Sequence, residues 1–187
     1  MRRPFALDIG LVRVPGAVRS MLLVAVLVSV STVHGAPPAP ELTARVESSL
    51  GSFAKRLEAR PPDPSSMHDL LTGYLNRTDE VFGSAFAFAP VEKGGKPFTA
   101  VPYVYRKNGR LVRKDLAAMG GDYVSAEWYA KPVREKRPCW SKPYFDKEGG
   151  EIDMVTYSIP IYSKGVPPRL VGVVTADLPV ESLRKGH

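Results

Sequence analysis

Residues 139–162 read CWSKPYFDKEGGEIDMVTYSIPIY, and residues 170–178 read LVGVVTADL. CWSKPYF, IDMVTYSIPIY and LVGVVTADL are rich in rings and β-branched residues, the composition of strands. The breaks between them, DKEGG and SKGVPP, are short and full of turn formers. The three runs are therefore expected to pair antiparallel as neighbours. Along the second run, Tyr157 and Tyr162 are set against Ile159 and Ile161, one set for the core and the other for solvent or a pocket.

Working towards the N-terminus, VFGSAFAFAP puts Phe82, Ser84, Phe86 and Phe88 on alternate positions, a further strand with small residues on its other face. VPYVYRKNGRLVRKDL is two strand-like runs around Asn108-Gly109, a tight-hairpin signal because both residues tolerate positive φ. Between these strands and the opening stretch lies GGDYVSAEWYAKPVREK, which has no alternation. It reads as a loop and a short helix, with Ser125 as the cap and Pro132 bounding or kinking it.

Ahead of the strands the period becomes helical. Leu42, Val46, Leu50, Phe53 and Leu57 form one apolar stripe across Glu41–Arg60, and RPPDP stops it. Ser65 or Ser66 caps a second helix carrying Met67, Leu70, Leu71, Tyr74 and Leu75, closed by Asn76. After Leu178, Pro179 fits the first turn of a last helix. The fold class is α+β: one antiparallel sheet of five or six strands with a long N-terminal helix.

The first 35 residues read as a secretory signal. Arg2, Arg3, Arg13 and Arg19 precede the uncharged run MLLVAVLVSVSTV, and Val33 and Gly35 suit a cut after Gly35. Retention as a membrane anchor is the alternative. Residues 36–64 then hold a Pro-rich segment and the long helix, and 65–187 the remaining domain. Removing the leader lowers the formal charge from +7 to +4, with no basic run of five or more, so nucleic acid is not an expected partner. Cys139 is the one cysteine, expected to be buried beside Trp140.

Catalytic equipment is sparse. Beyond the leader the histidines are His68 and His187, and neither G-x-S-x-G nor H-E-x-x-H occurs. Gly120-Gly121 has no phosphate-loop context, so no cofactor, nucleotide or metal is expected. Glu151 and Asp153 alternate beside a turn and are expected to be solvated.

The motifs DYVSAEWYAKP, CWSKPYFDKEGG, MVTYSIPIY and LVGVVTADLPVESL, in that order, resemble the Cache family of extracytoplasmic sensor domains, PAS-like folds of bacterial chemoreceptors, sensor kinases and membrane-bound phosphatases. The likeness spans about residues 81–183. It implies a pocket on one sheet face, roofed by a Trp-Tyr loop. By the resemblance Trp128, Tyr129 and Tyr144 help line it, Tyr123 is a further match, and Asp177 receives a ligand amine. Members that bind amino acids carry an Arg two residues before the Trp as a carboxylate clamp. Here that position is Ala126, which cannot make the two-pronged bond.

Rings beside acids suit a cationic amine. The expected function is thus non-enzymatic: an exported, periplasmic or extracellular module binding a small amine or amino-acid-like metabolite, without its own output domain. Lys131 or Arg134 replacing the clamp would restore a carboxylate ligand. A ligand-free interaction module, dimerising through the N-terminal helix, and a truncated receptor passing its signal to a membrane partner are the alternatives. Asp177 also has a plain reading as cap of the last helix, and Asp146 as a turn residue.

Overall fold

A computed structural model describes residues 39–93, 96–120, 122–147 and 149–184. The proposed leader, Gly121 and His187 lie outside the described residues. Helix α1 (Ala39–Ala59) buries Leu42, Val46, Leu50, Phe53 and Leu57, the stripe its spacing predicts. Asp63 caps a single 3-10 turn at Pro64–Ser66 by accepting from the Ser65 amide. Helix α2 (Met67–Leu75) follows, with Ser66 at its N-cap position but making no side-chain bond there. Met67, Leu71, Tyr74 and Leu75 are buried, while Leu70 points out.

The main sheet is antiparallel and contains β1 (Gly83–Phe88), β4 (Pro102–Lys107), β5 (Arg110–Asp115), β6 (Cys139–Trp140), β7 (Tyr144–Phe145), β8 (Asp153–Tyr162) and β9 (Leu170–Pro179). Its order is β5-β4-β1-β9-β8-β6, with β7 pairing on β8 as well. That makes seven strands, against the five or six expected. CWSKPYF, read as one strand, is two two-residue strands flanking Ser141–Pro143, where Pro143 has no amide to give. A separate small hairpin, β2 (Val91–Lys93) with β3 (Lys96–Phe98), was not anticipated. At the β4–β5 turn Asn108 and Gly109 take φ values of 52° and 72°.

Each sheet face has its own core. Against α1 and α2 pack Phe86 and Phe88 of β1, Val155, Ile159 and Ile161 of β8, and Val174, Ala176 and Leu178 of β9. Tyr157 packs with them, because residues two apart on a strand share a face; setting it against Ile159 was a parity error. Its ring lies 5.0 Å from Trp140, whose indole N–H donates to Glu47 Oε1 of α1 at 2.7 Å. Cys139, one residue earlier on the strand, points to the opposite face and is buried there, not beside Trp140 as expected, with its thiol pKa pushed up by burial.

The opposite face of the sheet carries Ala85, Tyr103, Tyr105 and Val173. It is roofed by the segment ending in α3 (Glu127–Glu135), whose Tyr129 and Pro132 are buried. Ala126, not Ser125, holds the N-cap position of α3. Ser125 instead turns back to the Asp122 carbonyl at 3.2 Å. Pro132 sits inside the helix and removes the amide that the Trp128 carbonyl would otherwise accept from. The short α4 (Val180–Arg184) closes the described chain.

Candidate functional site

Beneath the roof lies a cavity of about 190 Å³. Strands supply its floor, with Tyr103, Thr156, Thr175 and Asp177. The loop and the start of α3 supply its cover, with Asp122, Tyr123, Ala126 and Trp128. Tyr144 and Asp146 complete the wall. The cover is pinned: the Tyr123 hydroxyl donates to the Phe88 carbonyl at 3.0 Å, and the Tyr123 ring meets that of Tyr129 edge-on at 5.2 Å.

Asp177 is the centre of the floor. It lies on β9, 4 % exposed, opposite Thr156 on β8. Period-two alternation sends Val174, Ala176 and Leu178 to the helices and Val173, Thr175 and Asp177 to this side. Thr156 Oγ1 donates to Asp177 Oδ1 at 2.9 Å, and the Tyr144 hydroxyl lies 2.9 Å from the same Oγ1. Since the threonine proton is committed to the carboxylate, Tyr144 is the donor in the second bond. Tyr144 and Thr156 thus form a two-step relay ending on Asp177. The capping reading of Asp177 does not hold, because its side chain is turned across the sheet towards Thr156.

Burial raises the Asp177 carboxyl pKa to about 7, with the Asp146 charge adding to the rise. The Thr156 hydrogen bond opposes it, and the nearby Tyr103 hydroxyl opposes it less. Tyr103 makes no hydrogen bond of acceptable geometry: its buried hydroxyl has no partner among the described residues. Its own pKa is pushed well up, first by burial and then by the charges of Asp177 and Asp146. The ring crosses directly over Gly83, where a Cβ would come within 2.9 Å of two ring carbons. Glycine at 83 is what lets Tyr103 lie flat on the floor.

Asp146 combines two roles. Its carboxylate accepts from the Gly149 amide at 3.1 Å and the Gly150 amide at 2.6 Å, closing the turn, and it also lines the cavity. No lysine, arginine or histidine lines the cavity among the described residues. Lys131 donates to the Trp140 carbonyl at 2.8 Å and lies near Glu127, while Arg134 is exposed beside Glu135. Neither occupies the place of a clamp.

Of the residues singled out from sequence, Tyr123, Trp128, Tyr144 and Asp177 line one cavity. Tyr129 does not reach it. Successive helical residues point about 100° apart, so with Trp128 turned inward Tyr129 packs edge-on against Trp128 and Tyr123. Tyr103, Thr156 and Thr175 were missed. The signal for the threonines was polar residues at same-face positions in otherwise apolar strands. Among the described residues no group of three His, Cys, Asp or Glu is placed to hold a metal ion, and no helix is long and apolar enough to cross a membrane.

Residues 67–185 match the family model described as methyl-accepting chemotaxis protein-like, first PDC sensor domain. No curated protein matches the chain in sequence. Among solved structures, the extracellular domain of soHK1S-Z6, assigned as a histidine kinase, superposes with a TM-score of 0.69 at 27% identity, covering 81% of this chain and 60% of that one. Methyl-accepting chemotaxis protein X gives 0.57 at 21% identity, covering 78% and 62%. The ligand-binding domain of the Pseudomonas aeruginosa PAO1 amino acid chemoreceptor PctC, in complex with GABA, gives 0.56 at 18% identity, covering 79% and 62%. The chain spans about three fifths of the length of these structures.

Proposed function

This chain belongs to the methyl-accepting chemotaxis protein-like first PDC sensor domains, and from that premise we propose that it is an extracytoplasmic sensor module that binds a small cationic amine without turning it over. The observation that carries the reading is the cavity's charge: Asp122, Asp146 and Asp177 line it and, among the described residues, no cationic side chain does. Tyr123, Trp128 and Tyr144 give it ring walls, which favour a cation approached through its face. Asp177 is the proposed ammonium acceptor, held by Thr156 with Tyr144 behind it. Tyr129 is a buttress for the cover.

A charged Asp177 is costly to bury alone, and a bound ammonium supplies the missing partner. A ligand bearing only a carboxylate meets three acids and no donor cation. Export through the N-terminal leader and signalling through a membrane-bound partner are part of the same proposal, as is the absence of catalysis.

Titration calorimetry of the purified chain against n-butylamine, butanoate and a panel of amino acids tests it. Binding of amines with silence from butanoate is the expected result. Binding of butanoate alone, or of no compound in the panel, overturns the reading.

A further inference from the structure

The cavity has a second opening feature. An outer groove shares Ala126, Trp128, Tyr144 and Asp146 with it and continues past Glu127, Phe145 and Lys147. The four shared residues therefore form the border between the cavity and the outer groove. This arranges the acids by depth: Asp177 at the floor, Asp146 at the neck, and Glu127 outside, opposed there by Lys147. The neck carboxylate is fixed in place by the Gly149 and Gly150 amides, so it cannot swing away from whatever passes it.

We propose that the site takes a linear diamine, with one ammonium at Asp177 and the second at the Asp146 neck. The inference rests on the amine reading above and adds what occupies the far end of the ligand. A monoamine leaves the Asp146 carboxylate facing an apolar tail between the rings of Trp128 and Tyr144. An amino acid held by its amine places its own carboxylate against Asp122 or Asp146, an arrangement of like charges. A second ammonium turns both mismatches into a charge-assisted contact.

A second observation on the cavity floor is Tyr103. It is 2 % exposed and lines the cavity, and its hydroxyl has no partner among the described residues. A buried hydroxyl left unpaired is unfavourable in the empty protein. An ammonium at Asp177 has three N–H donors, so it serves the carboxylate and the neighbouring phenol oxygen together.

Calorimetry with four-carbon ligands that differ only at their ends provides the test: 1,4-diaminobutane, n-butylamine and 4-aminobutanoate. The diamine should bind about tenfold or more tighter than the monoamine, as expected for one added charge-assisted contact, and 4-aminobutanoate should bind weakest. Asp146→Asn should weaken the diamine more than the monoamine and close most of the gap between them. Asparagine keeps an acceptor for one of the two turn amides; should the variant not fold, the wild-type series decides alone. Equal binding of diamine and monoamine, or 4-aminobutanoate binding best, overturns the diamine assignment while leaving an amine site standing. Silence from all three overturns both.

Discussion

Thr156 and Asp177 face each other across the β8–β9 ladder, and the threonine hydroxyl donates the one hydrogen bond to the Asp177 carboxyl seen among the described residues. That single bond does not offset the loss of hydration, which is why the carboxyl is raised to about 7. An acid whose pKa rises on folding stabilises the native state most below its unfolded value, near pH 4, and that contribution is lost as pH climbs to about 7. The effect is on the order of 4 kcal/mol at most. Asp177→Asn should therefore melt like the wild type at pH 4 and several degrees higher at pH 8. Thermal unfolding of both across this range is the measurement, and parallel curves would count against a perturbed Asp177.

Ligand binding should carry the same titration with the opposite sign. An aliphatic ammonium keeps its charge throughout neutral pH, so only the ionised fraction of Asp177 attracts it. With the carboxyl at about 7, n-butylamine should bind about tenfold weaker at pH 6 than at pH 8. Calorimetry at the two pH values in buffers of different ionisation heat should also detect proton release. Affinity independent of pH would remove Asp177 from the contact.

Tyr103→Phe separates ligand use from structural use. If the unpartnered hydroxyl serves only a ligand, deleting it leaves the empty protein unharmed or raises its stability by up to about 1 kcal/mol, roughly 2–4 °C in melting temperature. Amine affinity should fall at the same time. A melting temperature several degrees below the wild type would instead show that the hydroxyl is paired in the native fold.

Several parts of this architecture are readable from local pattern. The α1 stripe, the Asn108-Gly109 turn and the antiparallel pairing of β8 with β9 each depend on residues close in sequence, and each is found as expected. Tyr123, Trp128, Tyr144 and Asp177 were singled out by resemblance, not by pattern, and one cavity collects them. Tyr103 was hidden for a different reason. Its alternation with Tyr105 says that the two share a face, but not that β4 lies beside β1 and β1 beside β9. Only that strand order carries the Tyr103 ring over Gly83 to Asp177. Thr156 was missed similarly, since its role exists only in register with β9. The splitting of CWSKPYF escaped because strand composition does not report where the ladder breaks.

Two glycines should respond to alanine with opposite signs. Gly51 lies on α1 with nothing within 4 Å of a Cβ placed there, so Gly51→Ala removes only the unfolded chain's extra freedom and should stabilise by about 0.5–1 kcal/mol. Gly83 has no such room. A Cβ there would meet the Tyr103 hydroxyl and approach two ring carbons at 2.8 and 2.9 Å. The ring is hemmed in by Tyr105, stacked at 5.3 Å, and by the backbone at Gly149. Displacement is therefore towards the cavity, and Gly83→Ala should cost about 1–3 kcal/mol and weaken n-butylamine binding even where the protein remains folded. Denaturant melts of both variants, with calorimetry on the second, test the pair. A Gly83→Ala protein of wild-type stability and affinity would mean that Tyr103 is free to move, and that the floor of this cavity is not built around it.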